Sequence, residues 1–107
     1  MLRARLTHGG IMANYICTAA CRHCAYACSP DRTPAYITRE TSEQVARELK
    51  KGGYRSVHIG GGEPFLNFEG LLDLLEVLCR AGIPVDYIET NGYWSGDEAE
   101  VKSRLRE

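Results

Sequence analysis

Arg55-Ser56-Val57-His58-Ile59-Gly60-Gly61-Gly62-Glu63-Pro64 is the stretch from which the architecture can be read. From Arg55 to Gly60 it reads as a strand, with Val57 and Ile59 on one face. Glycines follow, and Pro64 forbids the strand to continue. Asn67 then has the side chain of a helix cap, ahead of a helix whose stripe is Leu71, Leu72, Leu75 and Leu78. Gly82 and Pro84 stop that helix. One strand, one glycine-rich turn and one amphipathic helix make a βα unit.

The same rhythm extends in both directions. Upstream, a strand is expected over Gly10–Ile16, and a helix over Thr41–Lys51, with Thr41 and Gln44 spaced as a capping box and Gly52-Gly53 at its end. Downstream, Val85–Glu89 reads as a third strand that empties into Thr90-Asn91-Gly92. Ser95 and Glu98 look like a further capping box, opening a helix that carries Val101 and Leu105. Three consecutive βα units predict an α/β fold whose parallel strands are joined by right-handed crossovers. The unusual residues, Cys17 to Cys28, Gly61 to Pro64 and Glu89 to Gly92, all leave the C-terminal ends of strands, where α/β folds place their sites. Three parallel strands leave both edges unpaired, and the last helix has no terminating glycine. The expectation is half of a larger domain.

Bulk properties narrow the function. The chain has 107 residues, 44% hydrophobic and 25% charged, with a formal net charge of −1. No basic surplus is available to neutralise a phosphate backbone, so nucleic acid is not an expected partner. No apolar run approaches the ~20 residues that span a bilayer, and the N-terminus lacks a secretory pattern, so a cytoplasmic protein is expected. Four of the five cysteines lie between positions 17 and 28. An odd, tightly clustered set without a signal peptide argues for metal rather than for disulfides.

Cys17-Thr18-Ala19-Ala20-Cys21-Arg22-His23-Cys24 is a C-x3-C-x2-C arrangement. Thiolates so closely spaced on a loop select zinc or an iron–sulfur cluster. Three cysteines would leave one iron of a cubane without a protein ligand. Cys28 extends the string to a fourth thiol, which keeps a structural zinc site open as an alternative. An electron-transfer cluster is the other alternative, although the spacing and the position of Pro30 depart from the bacterial ferredoxin pattern. The glycine turn alone would be only a turn, and no phosphate-loop pattern is present. Asn91-Gly92 alone would likewise be a routine turn.

Taken together, the cysteine string, Gly61-Gly62-Glu63-Pro64 and Glu89-Thr90-Asn91-Gly92 resemble the signatures of the radical S-adenosylmethionine (radical SAM) enzymes, in the family's order and at its strand ends. The resemblance runs from Gly10 to Leu105. It implies that residues 1–107 are the N-terminal part of a radical SAM core domain, half of a partial (β/α)6 TIM-type barrel truncated at its C-terminus. It implies that Cys17, Cys21 and Cys24 bind a [4Fe–4S] cluster whose fourth iron is chelated by S-adenosylmethionine. His23 would flank the adenine; Gly61, Gly62 and Glu63 would receive the methionine amino group; Glu89, Thr90 and Asn91 would border the cofactor. The implied activity is reductive cleavage of S-adenosylmethionine to a 5′-deoxyadenosyl radical that takes hydrogen from an unknown substrate. The implied partners are an electron donor such as ferredoxin or flavodoxin and, for a half barrel, a second chain that completes it in an anaerobic cytoplasm. An accessory half-barrel subunit without catalysis of its own is the other expectation from the missing strands. His8 and His58 are given no role, Cys79 is expected in the core of the leucine-rich helix, Tyr26 and Tyr36 either along the cysteine loop or covering apolar surface, and Trp94 as a partly buried anchor.

Overall fold

The computed structural model describes residues 2–106. Its elements are β1 (His8–Met12), α1 (Arg39–Lys51), β2 (Ser56–Gly60), α2 (Phe68–Arg80), β3 (Val85–Ile88) and α3 (Glu98–Arg106), with a 3-10 turn over Pro64–Asn67. The strands form one parallel sheet in the order β1-β2-β3. Gly10 stands opposite His58 and Met12 opposite Gly60. His58 stands opposite Tyr87, after an irregularity between Val57 and His58. The expected α/β class and the three βα units are therefore present.

Strand alternation divides the sheet into two unlike faces. Ile11, Val57 and Ile59 are buried beneath Ala46 of α1 and Leu71, Leu74, Val77 and Leu78 of α2, with Phe65, Ile83 and Trp94 closing the cluster. Burying side chains of this kind stabilises the fold by about 1.5–3 kcal/mol each. The other face carries His8, Gly10 and Tyr87, all exposed, and no helix covers it. On the helical side, Arg39 of α1 reaches Asp73 and Glu76 of α2 at 3.0 and 2.8 Å, a solvent-facing clamp between the two helices.

Several boundaries differ from expectation, each for a local reason. β1 ends at Met12 rather than Ile16 because its partner β2 ends at Gly60, and the last ladder bond is Ala13 N–H to the Gly60 carbonyl at 2.9 Å. Residues 14–16 find other partners, described below. β3 stops at Ile88, one residue short of Glu89. The cap of α1 is Thr38, whose hydroxyl accepts from Thr41 N–H at 3.1 Å, so Thr41 lies in the first turn and not at the cap. Ser95 is likewise not the cap of α3. Its hydroxyl donates to the Gly92 carbonyl at 2.6 Å, while the Asp97 carboxylate accepts from Ala99 N–H at 2.8 Å and from Glu100 N–H at 3.4 Å. Asn67 caps α2 as expected, accepting from Gly70 N–H at 2.9 Å. The buried stripe of α2 is Leu71, Leu74, Val77 and Leu78, rotated from the expected one, with Leu75 only half-buried and Cys79 exposed rather than in the core. α3 buries no residue. Its hold on the domain includes Val101, packed against the core, and Arg104, whose guanidinium lies 5.0 Å from the Phe68 ring centre and 5.9 Å from that of Trp94.

Candidate functional site

At the C-terminal ends of the strands, the backbone between β1 and the cysteine loop is gripped from two sides. Gly62 N–H donates to the Asn14 carbonyl at 2.8 Å, and Glu63 N–H donates to the Ile16 carbonyl at 2.9 Å. Ile37 N–H donates to Ala13 at 2.8 Å, and Cys17 N–H donates to Ser29 at 3.2 Å. The Asn14 side chain is buried and its amide N–H donates to the Glu63 carbonyl at 3.0 Å, while its Oδ1 has no hydrogen-bond partner among the described residues. These bonds close the neck of the loop that holds the four clustered cysteines. They also explain the glycines. A Cβ on Gly62 would run into the Ile16 carbonyl, and one on Gly61 would meet Asn14.

Within the loop, Cys17 Sγ accepts from Ala19 N–H at 3.5 Å and from the Asn91 side-chain amide at 3.6 Å. Cys24 Sγ accepts from Cys28 N–H at 3.4 Å. The N–H groups of Cys28 and Tyr26 hold the Cys24 thiol below its ordinary range, because donors favour the thiolate. Burial pushes the Cys28 thiol up, and its contact with Cys24 adds to the shift. The two thiols are thus shifted in opposite directions, Cys24 toward the thiolate and Cys28 toward the thiol.

Glu63 closes the site from below. Its side chain has no solvent exposure. One carboxylate oxygen accepts from the Thr90 hydroxyl at 2.6 Å and from Phe65 N–H at 3.2 Å; the other accepts from Asn91 N–H at 2.7 Å. Thr90 in turn accepts from Gly92 N–H at 3.1 Å and from the Trp94 indole at 3.0 Å. The carboxylate therefore fastens the turn after β2 to the turn after β3. Burial pushes the nearby Tyr36 phenol above its ordinary range, and the Glu63 charge acts in the same direction; its hydroxyl donates to the Pro64 carbonyl at 3.1 Å.

Above this bracket lies a cavity of about 660 Å³, within the span of small-molecule and cofactor sites. Cys17, Cys21, His23, Cys24, Gly61, Gly62, Glu89 and Asn91 line it. Eight of the ten expected site residues thus share one cavity. Glu63 and Thr90 do not line it; they hold its floor. Among the described residues no three His, Cys, Asp or Glu side chains are placed to hold a single metal ion. The three cysteines all line the cavity. The soft donor set, the N–H groups aimed at sulfur and the room beside them fit a [4Fe–4S] cluster with a small ligand alongside.

The radical SAM superfamily model matches residues 12–105. The chain belongs to the radical SAM superfamily. YydG of Bacillus subtilis (strain 168), named as a candidate peptide biosynthesis protein, is 28% identical over 86 residues, which are 80% of this chain and 27% of YydG. The S-adenosylmethionine-bound crystal structure of SuiB from Streptococcus suis superimposes with a TM-score of 0.66 at 23% identity, over 91% of this chain and 22% of SuiB. The α/β fold with its three parallel strands is therefore one that SuiB shares. The chain spans about a quarter of the length of either relative.

The cavity also has walls outside the ten expected site residues. Gly10, Met12, Tyr26, Cys28 and His58 line it. Tyr36 packs on the core instead, and Trp94 is buried with its ring centre 4.4 Å from that of Phe65. His58 was detectable in principle, since strand alternation puts it on the face opposite Val57 and Ile59.

Proposed function

We propose that this chain is the cluster- and cofactor-binding half of a radical SAM enzyme, the N-terminal part of a core domain completed by further strands. Cys17, Cys21 and Cys24 would hold three irons of a [4Fe–4S] cluster, and S-adenosylmethionine would occupy the rest of the cavity. When bound, the reduced cluster and S-adenosylmethionine together supply a 5′-deoxyadenosyl radical that removes hydrogen from a substrate carbon. The observation that carries this reading is the gathering of Cys17, Cys21 and Cys24 with Gly61, Gly62 and Asn91 around one cavity at the strand ends.

The chain's own residues divide the work. Ala19 N–H and Asn91 at Cys17, and Cys28 N–H at Cys24, stabilise thiolate sulfur and tune what it binds. Gly61 and Gly62 offer backbone to a ligand amine, while Glu63, saturated by Thr90, Asn91 and Phe65, fixes that backbone in place. Glu89 brings an exposed carboxylate to the cavity wall, and His23, next to Cys24 in the chain, also lines it, where it would flank the adenine. Only 27% of YydG is matched, so the likeness gives no ground for a substrate class. The exposed edge of β3 is where further strands, from the same polypeptide or a second chain, would dock. The reading also implies a cytoplasmic, oxygen-free setting and an electron donor such as ferredoxin or flavodoxin.

The test is anaerobic iron–sulfur reconstitution followed by EPR of the reduced protein with and without S-adenosylmethionine. A cluster signal that shifts on adding the cofactor, and that is lost in Cys17→Ser, Cys21→Ser and Cys24→Ser but kept in Cys28→Ser, is expected. A cluster indifferent to S-adenosylmethionine in both this chain and a barrel-complete one would turn the reading into an electron carrier. Zinc binding without cluster formation would overturn it outright.

A further inference from the structure

The uncovered face of the sheet carries a line of polar contacts that the cofactor reading leaves unused. Asp86 Oδ2 lies 2.9 Å from His8 Nδ1 and accepts from the Ser56 hydroxyl at 2.7 Å. Ser56 Oγ is itself 3.1 Å from His8 Nδ1. On the far side of the ring, His8 Nε2 lies 2.9 Å from His58 Nδ1, with the two imidazoles tilted by only 12°. With the ring centres 5.2 Å apart, the two rings meet end on, as an N–H···N bond needs. His58 lines the cavity, and its Nε2 lies on the side of Glu89, another lining residue. The nearest carboxylate, Glu89, is 4.0 Å away, too far for a hydrogen bond.

The His58 ring is fixed in place. Tyr87 runs parallel to it at 9°, with centres 5.0 Å apart. On the β1 side the ring lies over Gly10, where an added Cβ would approach it to 2.6 Å. The titratable groups facing His58 are thus His8 from β1 and Tyr87 and Glu89 from the β3 end. Ser56 and Asp86 act on it through His8.

Hydrogen-bond polarity decides the tautomers. The Asp86 carboxylate can only accept, so His8 donates from Nδ1. Neutral His8 then has a lone pair at Nε2, and His58 must donate to it from Nδ1. That leaves a lone pair on His58 Nε2, on the Glu89 side of a ring that borders the cavity.

We propose that His58 is a proton acceptor in the wall of the cofactor cavity, and that His8 and Asp86 are positioning residues that set its tautomer and carry the proton toward solvent. The inference rests on the reading of this cavity as the place where substrate meets cofactor. The substrate group it would serve is one that gives up a proton, an ammonium or a hydroxyl. That bond to hydrogen breaks as the bond to His58 Nε2 forms. The Nδ1–H of His58 passes to His8 Nε2, and the resulting imidazolium is balanced by Asp86. Two protons each move one step, the net transfer is a single proton from substrate to His8, no electron is transferred, and no co-reactant is required.

The test is long-range ¹H–¹⁵N NMR of the ¹⁵N-labelled chain without cluster or cofactor, at about pH 8.5, where an ordinary imidazole is neutral. Expected are the Nδ1–H tautomer at His58, the less common form of free histidine, and an N–N coupling across the bond to His8. Ser56→Ala/Asp86→Ala removes both acceptors of His8 Nδ1, and His8→Phe keeps an aromatic ring without the bond. Each should return His58 to a majority Nε2–H tautomer, although neither Ser56 nor Asp86 bonds to it. An Nε2–H form at His58 in the unaltered chain, or a tautomer unmoved in both variants, overturns the relay. Because this readout needs no cluster, linked imidazoles in a protein whose cluster ignores S-adenosylmethionine would remove the proposed function and keep the relay. Unlinked imidazoles beside a responsive cluster would do the reverse.

Discussion

The cysteine loop and the Glu63 bracket bound the same cavity and are built in opposite ways. The loop from Cys17 to Cys28 has neither helix nor strand, and Cys21 and His23 are exposed. The bracket buries a carboxylate completely and gives it three donors from two separate turns. An unpaired buried carboxylate would be severely unfavourable, so its charge is tolerated only because those donors are in place. The loop thus holds the groups that bind, and the bracket holds the geometry in which they do so. Substitutions should separate along that line, with stability lost in the bracket and reactivity changed in the loop.

The largest effect is expected at Glu63. Glu63→Ala leaves the Thr90 hydroxyl and the N–H groups of Phe65 and Asn91 without their acceptor. A loss of about 3 kcal/mol in urea unfolding follows, with Glu63→Gln costing about half of that. A loss under about 1 kcal/mol would mean that the carboxylate is free to serve a ligand and that the bracket is not structural.

Gly62→Ala comes next. The added methyl meets the Ile16 carbonyl, which is backbone and cannot swing aside. About 2 kcal/mol of destabilisation is expected, together with lower iron content after reconstitution, because the neck of the cysteine loop must open. A fully stable Gly62→Ala protein that still loses cofactor binding would assign the glycine to ligand approach instead.

In the loop the expected change is in reactivity. In cluster-free protein near neutral pH, iodoacetamide should modify Cys24 several-fold faster than Cys28, read by peptide mass spectrometry, since N–H donors depress one thiol and burial raises the other. The two pull stability in opposite directions with pH. Cys24, depressed when folded, contributes above the unfolded thiol value, and that contribution fades as pH falls through its folded value. Cys28, raised when folded, contributes below the unfolded thiol value, and that contribution is lost as pH rises through its folded one. Equal labelling rates would show that the loop does not hold the contacts at Cys24 Sγ.

Much of this was readable from residue types. Gly61-Gly62-Glu63-Pro64 and Thr90-Asn91-Gly92 announce themselves as strand exits because glycine and proline end strands, and the cysteine spacing carries its own chemistry. The partners of those residues were not readable. Gly61 and Gly62 are small on account of Asn14 and Ile16, a contact across a long stretch of sequence that has no periodicity to mark it. Nothing in the sequence distinguishes a carboxylate that will be buried on three donors from one that will face a ligand, so Glu63 was read as a cofactor group. Thr38 and Thr41 are equally good caps by composition, and the choice fell to Thr38 because Ile37 is tied to Ala13 just ahead of it. His58 needed only the alternation already used for Val57 and Ile59, but its partners His8 and Asp86 come from two other strands.

The smallest expected effect lies at the one non-glycine residue with a left-handed backbone among those described, Ala27, at φ 50°. It sits between Cys24 and Cys28, where Ala27 N–H donates to the Cys24 carbonyl at 3.2 Å and the next N–H turns onto Cys24 Sγ. A left-handed alanine costs about 1 kcal/mol, and glycine removes that strain while giving the unfolded chain back some freedom. Ala27→Gly should therefore raise stability by no more than about 0.5 kcal/mol and leave the labelling order of Cys24 and Cys28 unchanged. A measurable fall in stability would place the loop in a different backbone conformation, one in which Cys28 N–H no longer reaches Cys24 Sγ, and the contrast between a loosely held loop and a saturated bracket would then extend to the thiolate itself.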